Sequence, residues 1–187
     1  MIPISKPWLG PEEEVAALEV LISGRLTKGS KTIEFEQSFA DYIGTKHAIA
    51  VSSGTAALHL VLLACEIPSG AEVITTPFTF TATINMIKVI GAKPVFVDIR
   101  PDTFNIDECK IEAAITDKTD AILPVHLFGT PCDMSKIMEI AGKYKLLIIE
   151  DACQAHGAFI GPRKVGAFGN AACFSFCLEQ SFPCKCN

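Results

Sequence analysis

From residue 48 onward, short apolar runs alternate with segments of helical length, a pattern that restricts the chain to a layered α/β fold. The apolar runs are residues 48–52, 72–76, 94–98, 121–125, 146–151 and 172–176. Between them, residues 55–65, 81–89, 108–115 and 134–144 have the length and period of crossover helices. This alternation predicts a mainly parallel sheet with helices on both faces, joined by right-handed crossovers. Two helices precede it. Pro11 suits a first helical turn, Glu12, Glu13 and Glu14 favour its positive end, Val15, Leu18 and Ile22 recur at helical spacing, and Gly24 stops it. The second carries Phe35, Phe39 and Tyr42 on one face and ends at Gly44. The glycine-rich stretch 157–169 reads as an ordered connecting loop.

With 187 residues the chain has room for one domain of ordinary size. A net charge of −5 gives phosphate backbones no attraction, so no nucleic acid is expected. No apolar run reaches the length of a membrane span, and Met1 to Trp8 lacks the pattern of a secretory leader, so a cytoplasmic protein is expected, with no membrane partner. Eight cysteines are too dilute for a disulfide scaffold. Those from Cys65 to Cys153 lie in or beside apolar segments and are expected to be reduced and buried. Cys177, Cys184 and Cys186 lack the paired spacing of a zinc site, and no metal is expected.

Open parallel sheets bind ligands beyond the C-terminal ends of their strands, which singles out four segments. In Ser52-Ser53-Gly54-Thr55-Ala56-Ala57 a strand turns directly into a helix. Small residues there let backbone N–H groups and the Thr55 hydroxyl approach an anion such as phosphate; the other reading is an ordinary turn capped by Thr55. In Thr76-Pro77-Phe78-Thr79-Phe80, Phe80 either covers a flat ring or packs in the core. In the segment from Glu150 to Gly157, Asp151 is either a solvated strand-end carboxylate or the partner of a buried cation such as a protonated pyridine nitrogen. Gln154 and His156 stand close enough in sequence to add hydrogen bonds. In Phe174-Ser175-Phe176 the serine hydroxyl is a further candidate phosphate donor, though the motif alone says almost nothing, and His126, after residues 121–125, carries no assigned role.

Taken in order, these segments resemble the DegT and StrS type of aminotransferases, which use pyridoxal 5'-phosphate (PLP) to aminate nucleotide-linked keto sugars. The likeness runs from about Ile4 to Phe176 through Phe35-Glu36, Phe39-Ala40, Ser53 to Leu58, Pro77 to Phe80, Glu150-Asp151-Ala152, Gln154 to Gly157 and Cys173 to Phe176. It implies the large domain of the fold type I aminotransferases over residues 1–176, with a divergent tail at 177–187. It also implies that Thr55, Ala56 and Ser175 meet the cofactor phosphate, Phe80 stacks on the ring, Asp151 meets the pyridine nitrogen and Gln154 lies near the ring hydroxyl. An amino-acid donor, commonly glutamate, and a homodimer belong to the same picture.

The resemblance places the Schiff-base lysine five residues after the serine of Phe-Ser-Phe, and here that position is Gln180. A glutamine amide is no amine nucleophile. Lys185 lies five residues farther on, too displaced to substitute. The expectation is a chain truncated before the catalytic lysine, through a shifted frame, altered splicing or an incomplete gene model, and inactive as a transaminase. The alternative is a non-catalytic binding or interaction protein.

Overall fold

The computed structural model describes residues 9–176. Helices α1 (Pro11–Ser23) and α2 (Ser30–Ile43) lead into α3 (Gly54–Ala64), β1 (Glu72–Thr75), α4 (Thr81–Val89) and β2 (Lys93–Phe96). There follow α5 (Glu108–Ile111), extended by a 3-10 turn at Glu112–Ala114, then β3 (Thr119–Ile122), α6 (Met134–Tyr144) and β4 (Leu147–Asp151). A short hairpin, β5 (Phe159–Ile160) and β6 (Arg163–Lys164), precedes β7 (Ala171–Cys173). The main sheet has the order β2-β1-β3-β4-β7, and every pairing in it is parallel.

The helices cover both faces because the strands are apolar on both. Side chains alternate across a strand, so Ile74, Ile122 and Ile148 point to one face, where they pack with Ile111 of α5 and Ile137 and Ile140 of α6. Their neighbours Val73, Ala121 and Ile149 point to the other, against Leu62 of α3 and Ile87 of α4. Leu58 of α3, Ala82 of α4 and Cys173 of β7 form a third cluster, which fixes the starts of both helices over the β4–β7 strand ends. Among the described residues no helix is long and apolar enough to cross a membrane.

Four expectations need correction. Residues 48–52 are not a strand: they pair with no other strand among the described residues. Ile49 is 77% exposed, and the Ala50 N–H donates to the Glu36 carboxylate at 2.9 Å. Helix α1 forms, but its apolar stripe is unburied, with Val15, Leu18 and Ile22 all exposed. The glycine-rich loop contains the β5–β6 hairpin. Of the cysteines, Cys132 and Cys173 are buried and Cys65 and Cys153 half-buried, all as free thiols, but Cys109 is exposed on α5. Cys177, Cys184 and Cys186 lie outside the described residues.

A segment with no ladder partner lacks slow-exchanging amides. Ile49 and Val51 are therefore expected to exchange rapidly with deuterium in the monomeric chain. Strong protection that does not change with concentration would contradict this.

Candidate functional site

The strand ends of β4 and β7 meet the N-terminus of α3. Gly54 is the hinge of this meeting: a Cβ there would sit 2.8 Å from Ser175 Cβ and 3.0 Å from Cys153 Sγ, so any larger residue would push the three segments apart. The first turn of a helix leaves its N–H groups without intrahelical partners. At α3 the cap is Ser53, whose Oγ accepts from Ala56 N at 3.1 Å, rather than Thr55 as the turn reading supposed. Thr55 is exposed at this helix start and Ala56 half-buried. The close approach at Gly54 brings Ser175 to the same place, so the residues read as an anion site converge.

Asp151, the last residue of β4, is only 4% exposed. Its Oδ2 accepts the Thr83 hydroxyl at 2.7 Å, and its Oδ1 accepts Cys153 N at 3.2 Å. Among the described residues no lysine, arginine or histidine pairs with it. The solvated reading of Asp151 is thus overturned, and a buried carboxylate without a cation is suited to receive one from a ligand. Phe80, just before α4, is 62% exposed, which overturns its core reading and leaves a ring face open beside the same helix start.

Gln154 is half-buried, and its Oε1 accepts the Phe128 N–H at 3.1 Å. That bond holds a turn in which Phe128 takes φ 52, a left-handed conformation uncommon for a bulky residue. Asn105 clamps the same turn, donating to Thr130 O at 2.8 Å and accepting from Leu127 N at 3.0 Å. His156 packs against Phe174 and Phe176, and burial pushes its imidazole below the usual value. It sits in this aromatic packing, with its Nε2 buried and without a hydrogen-bond partner among the described residues.

Beneath the site, Glu150 and His126 form a latch that the sequence did not reveal. Cys132 N donates to His126 Nδ1, which places the ring hydrogen on Nε2, facing Glu150 Oε2 at 3.0 Å. The same carboxylate accepts the N–H groups of Gly166, Phe168 and Gly169, each at 2.7 Å. Burial pushes the Glu150 carboxyl up, but its bonds from His126, Gly169 and Gly166 outweigh that and leave it below the ordinary value of 4.5. A separate cavity of about 460 Å³, lined by Arg100, Asn105, Glu108, Asp133 and Phe159 among others, shares Asn105 and Cys132 with these turns but includes none of Thr55, Ala56, Phe80, Asp151, Gln154 and Ser175.

The fold and site define a parallel-sheet protein with a small-residue helix start, an exposed aromatic ring and a buried carboxylate gathered at adjacent strand ends. The chain matches the DegT/DnrJ/EryC1/StrS aminotransferase family over residues 8–184 and belongs to it. The matched range includes Gln180, which lies outside the described residues. The chain is 47% identical over 175 residues to the spore coat polysaccharide biosynthesis protein SpsC of Bacillus subtilis, covering 94% of this chain and 45% of that protein. The aminotransferase of Psychrobacter cryohalolentis superposes with a TM-score of 0.90 at 43% identity, over 94% of this chain and 46% of that one. Helicobacter pylori PseC, an aminotransferase involved in the biosynthesis of pseudoaminic acid, gives a TM-score of 0.89 at 35% identity, over 94% and 48%. Spr1654 of Streptococcus pneumoniae, solved in a PLP-form and a PMP-form, gives 0.93 for each form at 34% identity; the PLP-form comparison covers 97% of this chain and 50% of that one. The chain spans about half the length of these relatives.

Proposed function

We propose that this chain is the PLP-binding part of an aminotransferase that acts on nucleotide-linked keto sugars. The observation that carries the reading is Asp151, a buried carboxylate with no cation partner among the described residues, set beside the α3 start and Ser175. Thr55, Ala56 and Ser175 would hold the cofactor phosphate with hydroxyl and helix N-terminal donors. The exposed ring of Phe80 would cover one face of the pyridine, Asp151 would hold the proton on its nitrogen, and Gln154 would meet the ring hydroxyl. PLP held there would supply the electron sink for moving an amino group from a donor such as glutamate to the sugar in a chain that also carries the lysine. A cytoplasmic homodimer is the assembly proposed.

Gln180 sets the limit of what the chain does by itself. An amide at the lysine position cannot anchor the cofactor covalently, so this chain binds it reversibly and does not transaminate. Borohydride reduction of the protein mixed with PLP, followed by peptide mass spectrometry, tests this. No pyridoxyl group is expected on any single lysine, and no amino transfer from glutamate. A stoichiometric adduct on one specific lysine, together with transfer, would contradict it.

A further inference from the structure

The segment from Thr79 to Thr83 presents two different groups to the strand ends. Phe80 stands outward at the start of α4, while Thr83, in the first turn of the helix and buried, points inward. Its Oγ1 lies 2.7 Å from Asp151 Oδ2 and 2.9 Å from Thr79 Oγ1. A hydroxyl has one hydrogen to give and can accept others. An ionised carboxylate only accepts, so the Thr83 hydrogen is directed to Asp151, and Thr83 in turn takes the hydrogen of Thr79. The chain of donors thus has a fixed direction, from half-buried Thr79 through Thr83 to the carboxylate.

The two Asp151 oxygens have separate partners, Thr83 on Oδ2 and the Cys153 N–H on Oδ1. Both bonds are donated to the carboxylate, and together they fix its plane. Bonds to a charged acceptor in a buried site are among the stronger ones. Without the Thr83 hydrogen, Oδ2 would lose the bond that holds it, and the carboxylate would lose its aim at the proton of a ring nitrogen.

We infer that Thr83 is a positioning residue for the cofactor ring, acting through Asp151 to keep the carboxylate aimed at the ring nitrogen and so to hold the proton there. This rests on the PLP reading of the site. Because the α4 helix start carries both Phe80 and Thr83, the same helix turn would set the stacking ring and the charge partner together.

The test uses the full chain and pyridoxamine phosphate labelled with 15N at the ring nitrogen, which needs no lysine to bind. For Thr83→Val, the bound 15N resonance is expected to move toward the unprotonated position at fixed pH, with a dissociation constant raised about tenfold. Thr83→Ser keeps the hydroxyl and is expected to restore both. A T83V variant with the parent's resonance and affinity would overturn the inference. So would a T83S variant as impaired as T83V, since shape rather than the hydroxyl would then be at work. If the parent chain itself binds no labelled ligand, the cofactor reading fails and the inference goes with it; parent binding with an unaltered T83V removes the Thr83 role alone.

Discussion

Glu150→Ala is expected to lower the unfolding free energy by roughly 3–5 kcal/mol, the range for stripping one partner from a buried, charge-assisted network. The carboxylate accepts four hydrogen bonds, from His126 Nε2 and the backbone of Gly166, Phe168 and Gly169. Alanine would remove both oxygens that these buried donors share. The folded carboxyl also holds its proton less tightly than an unfolded one. Unfolding therefore takes up a proton in acid, and the stability this group contributes is present above its ordinary value of 4.5 and lost as pH falls through the lower folded value. Urea midpoints measured from neutral to acid pH check both points. An alanine variant within about 0.5 kcal/mol of the parent, the range of an ordinary surface change, would contradict the latch.

Asp151→Ala is expected to weaken pyridoxamine phosphate binding by about 10- to 100-fold, the range for losing a hydrogen bond to a charged group. The carboxylate lies at the end of β4, and its backbone is fixed in the sheet by Asp151 N to Pro124 O at 2.9 Å and His126 N to Asp151 O at 3.0 Å. Removing the side chain beyond Cβ therefore deletes the charge without releasing the strand. Isothermal titration of parent and variant measures the change. Equal affinity in the two chains would mean that the buried carboxylate does not face the ligand.

The strongly periodic helices were legible in the sequence, and α4 and α6 begin and end where the pattern placed them. At α6 the reason is local: Asp133 caps the helix by accepting Lys136 N at 3.1 Å, and an apolar stripe from Met134 to Ala141 is buried. Strands were found in the right order but placed too long, because residues such as Thr76 and Phe174 leave the ladder at the strand ends. Residues 48–52 failed for a related reason. Their composition suits a strand, but a strand also needs a neighbour, and apolar propensity cannot say whether one is there. The β5–β6 hairpin was overlooked although Gly161-Pro162 is a turn signal, because strands of two residues carry no period to count.

The candidate residues at strand ends were legible, since topology directs attention to Thr55, Asp151 and Ser175 before any contact is known. Partners distant in sequence could not. Thr83 meets Asp151 across 68 positions, and His126 meets Glu150 across 24. Nothing in the local pattern around Thr83 separates it from any other threonine in a first helical turn. Thr55 shows the opposite error: the motif was placed correctly, but the capping role falls to Ser53, whose hydroxyl stands three residues before the amide it accepts.

Hydrogen–deuterium exchange of the full chain, with and without saturating pyridoxamine phosphate, tests the central claim most directly. The account predicts slower exchange in residues 54–57, 151–155 and 174–176, together with the start of α4, and no change around the cavity lined by Arg100, Glu108 and Asp133. No ligand-dependent protection, or protection confined to that cavity, would contradict it.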